Sequence, residues 1–171
     1  MVTNNIKRRK IFSKIRLIGF ALLIVGLATI GVSFYLYSNS QKSSSSVTPT
    51  FTTISPNESS IDEKDGWSRV SPDSSEAVYA YADTIDGVAI TVSQQKLPSS
   101  FLDNTNKKVS ELAASYNANN TVTAGKTTLY IGTNTEGPQW VIFTKSQLLI
   151  MIKSDSVIKD DSWISYVKSL S

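Results

Sequence analysis

QWVIFTKSQLLIMIK, residues 139–153, decides the architecture. In 139–145, Trp140 and Ile142 face one way and Val141 and Phe143 the other. In 147–153, Leu148, Ile150 and Ile152 share one face, and Leu149 and Met151 share the opposite one. Period-two patterning predicts two strands in a tight hairpin about Ser146. Both faces of the hairpin are apolar, so each needs a cover. One layer of helices supplies one cover. The second face then belongs to a curved sheet closed over its own core, to a partner, or to an apolar ligand. Trp140, Phe143, Leu149 and Met151 are the candidate residues for a ligand or partner surface.

Outward from the hairpin, the pattern continues. Val78–Asp83 reads as a strand, with Asp86-Gly87 as a hairpin turn. Val88–Leu97 alternates with Val88, Ile90 and Val92 on one face, and Pro98 ends it. Leu102, Val109, Leu112, Ala113 and Tyr116 fall at helical spacing, and Asn117–Asn120 stops that helix. Thr127–Thr133 is the next strand, followed by turn residues Asn134–Pro138, and Thr121–Ala124 is a candidate short strand before it. Asp160 reads as the N-cap of a closing helix with Asp161 in its first turn, and Trp163, Val167 and Leu170 form its inner stripe. The order β-β-α-β-β-β-α predicts an α+β domain over 67–171, with a mainly antiparallel sheet and helices on one face.

The amino-terminal region reads differently. Leu17–Tyr37 is a run of 21 residues without charge, long enough as a helix to cross the roughly 30 Å hydrocarbon core. Lys7, Arg8, Arg9, Lys10, Lys14 and Arg16 all precede it, and no acid comes before Glu58. That asymmetry places residues 1–16 in the cytoplasm and the rest outside, with Arg16 at the inner boundary and Tyr35 and Tyr37 at the outer interface. A cleaved signal peptide would have a shorter apolar region ending in small residues, whereas this run ends Phe34-Tyr35-Leu36-Tyr37. Gly19, Gly26 and Ser33 recur every seven residues, a spacing that lets membrane helices approach, although no Gly-x-x-x-Gly pair is present. Residues 38–66 read as a flexible stalk: 38–60 hold nine Ser, four Thr and two Pro, with Phe51 and Ile54 the isolated large apolar residues.

Composition narrows the chemistry. The chain has 171 residues, 17 Lys+Arg, 14 Asp+Glu, no His and no Cys. Without Cys there is no disulfide framework, thiolate metal site or thiol nucleophile; without His the commonest general base and metal ligand are missing. Beyond residue 37, eleven cations face 14 acids, so no basic surface tracks a phosphate backbone and nucleic acid is excluded as a partner. Asp62, Glu63 and Asp65 fail the calcium-loop pattern because Lys64 and Gly66 occupy the third and fifth positions. Gly125-Lys126-Thr127 resembles a phosphate loop, but Asn120 stands where its first glycine belongs and a strand follows. No catalytic residue, cofactor or metal is expected, and the chain reads as a non-enzyme.

Residues 67–171 also resemble a known group. Lys126-Thr-Thr-Leu-Tyr-Ile131, a polar turn, Gln139-Trp-Val-Ile-Phe143, Leu148-Leu-Ile-Met-Ile152 and a last helix ending Val167-Lys-Ser-Leu170 carry the likeness. It is to bacterial extracytoplasmic domains of unknown function, carried behind a single anchor or on lipoproteins. Some relatives are ectodomains of regulators with a cytoplasmic domain; the 16 residues before the span here are too few for one. The resemblance implies a location outside the membrane and ties the chain to no reaction. The expectation is therefore a single-pass cell-membrane protein displaying a binding or scaffolding domain at the cell envelope. Its partners would be the membrane through residues 17–37, and an envelope protein or a second copy of the chain. The alternative is a carrier or sensor of an apolar ligand on the 139–153 hairpin.

Overall fold

The computed structural model describes residues 46–56, 61 and 65–171. The basic tail, the 17–37 run with Arg16, Gly19, Gly26, Ser33, Tyr35 and Tyr37, and the first part of the stalk lie outside the described residues. The elements are β1 (Ser68–Arg69), β2 (Tyr79–Ile85), β3 (Val88–Lys96), a 3-10 turn (Ser99–Asn104), α1 (Thr105–Ser115), β4 (Asn120–Ala124), β5 (Thr127–Ile131), β6 (Gln139–Lys145), β7 (Leu148–Ser154) and α2 (Asp160–Ser169). The strands form one sheet in the order β1-β2-β3-β7-β6-β5-β4, and each neighbouring pair is antiparallel. The α+β class and the antiparallel sheet agree with the sequence pattern.

Two-residue turns fix the hairpin registers. Asp86 and Gly87 both adopt positive φ, at 51° and 80°, so their twist matches the flanking strands. Ser146 and Gln147 make the same kind of turn without glycine, at 52° and 61°, and β7 therefore begins at Leu148 rather than Gln147. Asn117 at φ 56° stops α1, and the Ala118 N–H returns to the Ala113 carbonyl at 2.9 Å, closing the helix end.

The helices lie on opposite faces of the sheet, which corrects the expected single helical layer. Trp163 and Tyr166 of α2 bond to Gln139 and Tyr81, residues on the same face as Val141 and Phe143. Tyr116, at the end of α1, packs on Trp140 with ring centroids 4.8 Å apart, and Tyr130 reaches the Asn106 carbonyl, both on the other face. The reason lies in the connections. Three strands separate β3 from β4, and the two run in the same direction, so the segment joining them must cross a face of the sheet. That crossing carries α1 over β5 and β6.

The expected helix register also shifts. A 3-10 turn after Pro98 aims Phe101 inward, 2% exposed, and leaves Leu102 outside, 64% exposed. Leu102 is thus absent from the inner stripe, whereas Val109, Leu112 and Ala113 are buried. Phe101→Ala is expected to cost about 3–5 kcal/mol and Leu102→Ala under about 0.5 kcal/mol, read from denaturant midpoints. Equal losses would restore the single continuous helix.

The second correction concerns the stalk. Residues 46–56, expected to be free, are part of the domain. Ile54 and Ile61 are buried in the α2-side core, and Phe51 packs on Tyr79 at 5.3 Å. The Gln94 side chain, wholly buried, accepts from the Ile54 N–H at 3.0 Å and donates to its carbonyl at 2.5 Å. Ser55 and Ser171 exchange backbone bonds of 3.2 and 3.1 Å. The domain therefore starts near residue 46 instead of 67.

Candidate functional site

The four residues proposed for a surface do not form one. Register places Trp140 opposite Lys153, Ile142 opposite Met151 and Thr144 opposite Leu149, all on the α1 face, whereas Phe143 pairs with Ile150 on the α2 face. Phe143, Leu149 and Met151 are 0, 1 and 4% exposed, and Trp140 is half-buried against Tyr116. β6 and β7 are central strands with a helix on each side, so both apolar faces are filled by the chain itself. The exposed hairpin face required by an apolar-ligand carrier is absent, because α1 covers it.

What stays open lies elsewhere. A groove of about 450 Å³ runs between residues 50–51, the start of β2, the end of β3 and the 3-10 turn. Phe51, Ala77, Leu97 and Leu102 give it apolar walls, and Glu76 and Lys96 set one charge of each sign on its rim. Its geometry follows from features already described. The Tyr79 hydroxyl donates to Thr50 Oγ1 at 3.2 Å, and Gln94 fixes Ile54, so Phe51 is held in place. The Phe101 N–H donates to the Pro98 carbonyl at 2.8 Å, and the resulting turn presents Leu102. Thr50 and Ser99 add two hydroxyls to the lining. A groove with such walls has room for an apolar side chain.

A second, shallower cleft of about 370 Å³ lies beside the start of α2, between Asp86, Asp161, Ser162, Ser165 and Tyr166. Under it runs a chain of hydroxyls. Tyr166 donates to Asp83 Oδ2 at 3.0 Å, which leaves Tyr81 to donate to the Tyr166 oxygen at 3.1 Å. Burial pushes both phenols above their ordinary value of 10.0, and the Asp83 carboxylate adds to the rise. The chain ties α2 to β2. It also sets a pH dependence. A raised folded-state pKa contributes stability that is whole below about pH 10 and is lost as pH climbs above it, because the unfolded state then releases protons that the fold retains. The expected result is that tyrosinate absorbance from Tyr81 and Tyr166 appears together with the loss of circular dichroism. Full titration before unfolding would refute it.

The remaining motifs have structural roles. Lys145 donates to the Val167 and Leu170 carbonyls, at 2.9 and 2.6 Å, and so closes the carboxyl end of α2. Burial lowers its pKa. Gly125-Lys126 is the two-residue turn between β4 and β5. Asp160 is the first residue of α2 rather than its cap; Lys159 precedes it in extended conformation, and the Asp160 carboxylate accepts from Asn120 Nδ2 at 3.1 Å. Among the described residues no three acidic groups gather as metal ligands.

Comparison with protein-family models, curated proteins and solved structures finds no match. The functional reading therefore rests on the residues themselves. Phe51 and Leu102 are the two groove residues that sequence reasoning misplaced. Phe51 looked like an isolated apolar residue in a polar stretch. Pro98, which starts a new turn, was the signal that the helical register changes before Leu102.

Proposed function

We propose that this chain is a single-pass membrane protein that displays a small α+β binding domain on the outer side of the cell membrane. The observation that carries this is the uncharged run Leu17–Tyr37 with six cations before it and no acid until Glu58. Among the described residues, no helix is long and apolar enough to cross a membrane. The binding half draws support from the groove at Phe51, Leu97 and Leu102, where apolar side chains gather around an open space. The domain takes part as a binder or scaffold at the envelope, without catalysis.

A cysteine-free chain makes the test direct. Thr3→Cys and Lys126→Cys are placed separately in the full chain, and intact cells are treated with a membrane-impermeant maleimide. Labelling of Lys126→Cys alone is the expected result. Labelling of Thr3→Cys, or of neither before lysis, would remove the proposed topology.

A further inference from the structure

We infer that two copies of this chain, held in one membrane, pair through the groove at Phe51, Leu97 and Leu102, with Leu102 of each copy seated in the groove of the other. The inference rests on the membrane topology and the binding groove proposed above, and it names the occupant.

The groove carries a hollow and a projection side by side. The hollow is the space of about 450 Å³ between Phe51, Ala77 and Leu97. The projection is Leu102, the most exposed large apolar side chain among the described residues, which lines the same groove. Its backbone is fixed from both sides. Phe101, just before it, is buried, and the Thr105 hydroxyl donates to the Phe101 carbonyl at 3.0 Å. A wall that both offers a leucine and has room for one is self-complementary. Under a twofold axis each such contact occurs twice, once from each copy.

The rim charges agree with this. Glu76 and Lys96 both line the groove, and both are exposed. Among the described residues, ion pairs join Arg69 to Asp73 and both Lys107 and Lys108 to Glu111, and they leave Glu76 and Lys96 out. A rim with two charges of one sign would repel its own copy. One charge of each sign lets a twofold axis set Lys96 of each copy beside Glu76 of the other, giving two pairs per dimer. A partner of uniform charge would instead meet one like charge on this rim.

Chain length supplies the third argument. Thr50 and Phe51 belong to the strap, whose described part starts at Ser46, nine positions beyond Tyr37. Nine residues span about 30 Å at full extension, against roughly 100 Å for a free stalk reaching residue 66. The strap of every anchored copy therefore starts within that shorter distance of the same membrane. Anchoring confines the copies to a layer and raises the effective concentration of one groove for the next. A contact too small to hold two free proteins together then suffices. A second copy is the occupant that shape, charge and leash length fit together.

The test uses the full chain in intact cells, expressed as two copies with different tags. The photo-activated residue p-benzoylphenylalanine replaces Ser99, an exposed groove residue, so that Leu102 stays in place. Irradiation is expected to give an adduct of twice the chain mass that carries both tags. Glu76→Lys alone, or Lys96→Glu alone, sets like charges against each other at both pairs and should cut this adduct several-fold. The two variants expressed together restore both pairs in a mixed dimer and should recover it. Leu102→Asp should abolish the adduct while the melting temperature stays unchanged. A double-mass adduct that ignores both charge variants, or survives Leu102→Asp, overturns the pairing. An adduct of another mass alone overturns the pairing and leaves the groove a binding site for a different protein. No adduct at all removes both, while the maleimide labelling reads the topology separately.

Discussion

Gln139→Leu is expected to bring the domain to the margin of unfolding. Gln139 is 3% exposed at the start of β6, and all of its amide is used. Its Oε1 accepts from the Ile158 N–H at 3.0 Å and from Trp163 Nε1 at 2.9 Å, and its Nε2 donates to the Gly132 carbonyl at 3.1 Å. One side chain thereby ties the β7–α2 connection, the largest side chain of α2 and the end of β5 to the sheet. Leucine has a similar size but leaves two donors and an acceptor buried without partners. At about 1–3 kcal/mol for each orphaned group, the loss is roughly 3–9 kcal/mol, against a total stability of about 5–15 kcal/mol for a domain. Urea denaturation followed by circular dichroism measures it. A loss under about 1 kcal/mol would mean that water or side-chain movement replaces all three bonds.

Gln94→Leu is expected to cost about 2–6 kcal/mol by the same reasoning, because the Ile54 N–H and carbonyl both lose their partner. Its signature differs. Gln139 holds elements of the sheet and α2 together, whereas Gln94 holds a strap that arrives from outside the sheet. Limited proteolysis should therefore cut Gln94→Leu between residues 46 and 66 while the circular dichroism of the sheet persists. Cleavage in this region at the wild-type rate would show that Phe51 and Ile54 hold the strap by burial alone.

Both glutamines show why some of the fold was legible and some was not. Strands β2, β3, β5, β6 and β7 are marked by local alternation, and the α2 stripe by helical spacing, so each could be found from a window of a few residues. Asp86-Gly87 likewise declares its turn through the backbone freedom it supplies. The strap is different. Residues 46–56 have the composition of a stalk, and their order comes from a side chain 40 positions away in β3. Helix sidedness depends on which strands the chain skips between β3 and β4, a matter of sheet order that no local pattern encodes. The candidate site failed for the same reason. Trp140, Phe143, Leu149 and Met151 are apolar on a two-sided hairpin, and only the position of α1 decides that this makes a core. Leu102 and Phe51 form the open groove through a 3-10 turn and a distant clamp.

The strap gives the fold a mechanical property. A pull on the chain ahead of Ser46 does not load the seven-stranded sheet first. It meets the Val47–Trp67 backbone bond, then the packing of Phe51, then the Gln94 clamp at Ile54, then the Ser55–Ser171 pair, in that order along the chain. Attachments met in series peel one after another, each at the force of a single contact, whereas strands sheared side by side fail together. Releasing residues 46–55 would lengthen the leash by about 35 Å at full extension. It would also dismantle the wall of the groove that Thr50 and Phe51 provide. Tension would thus extend the domain's reach and erase its open apolar surface in the same event, before any strand of the sheet is disturbed.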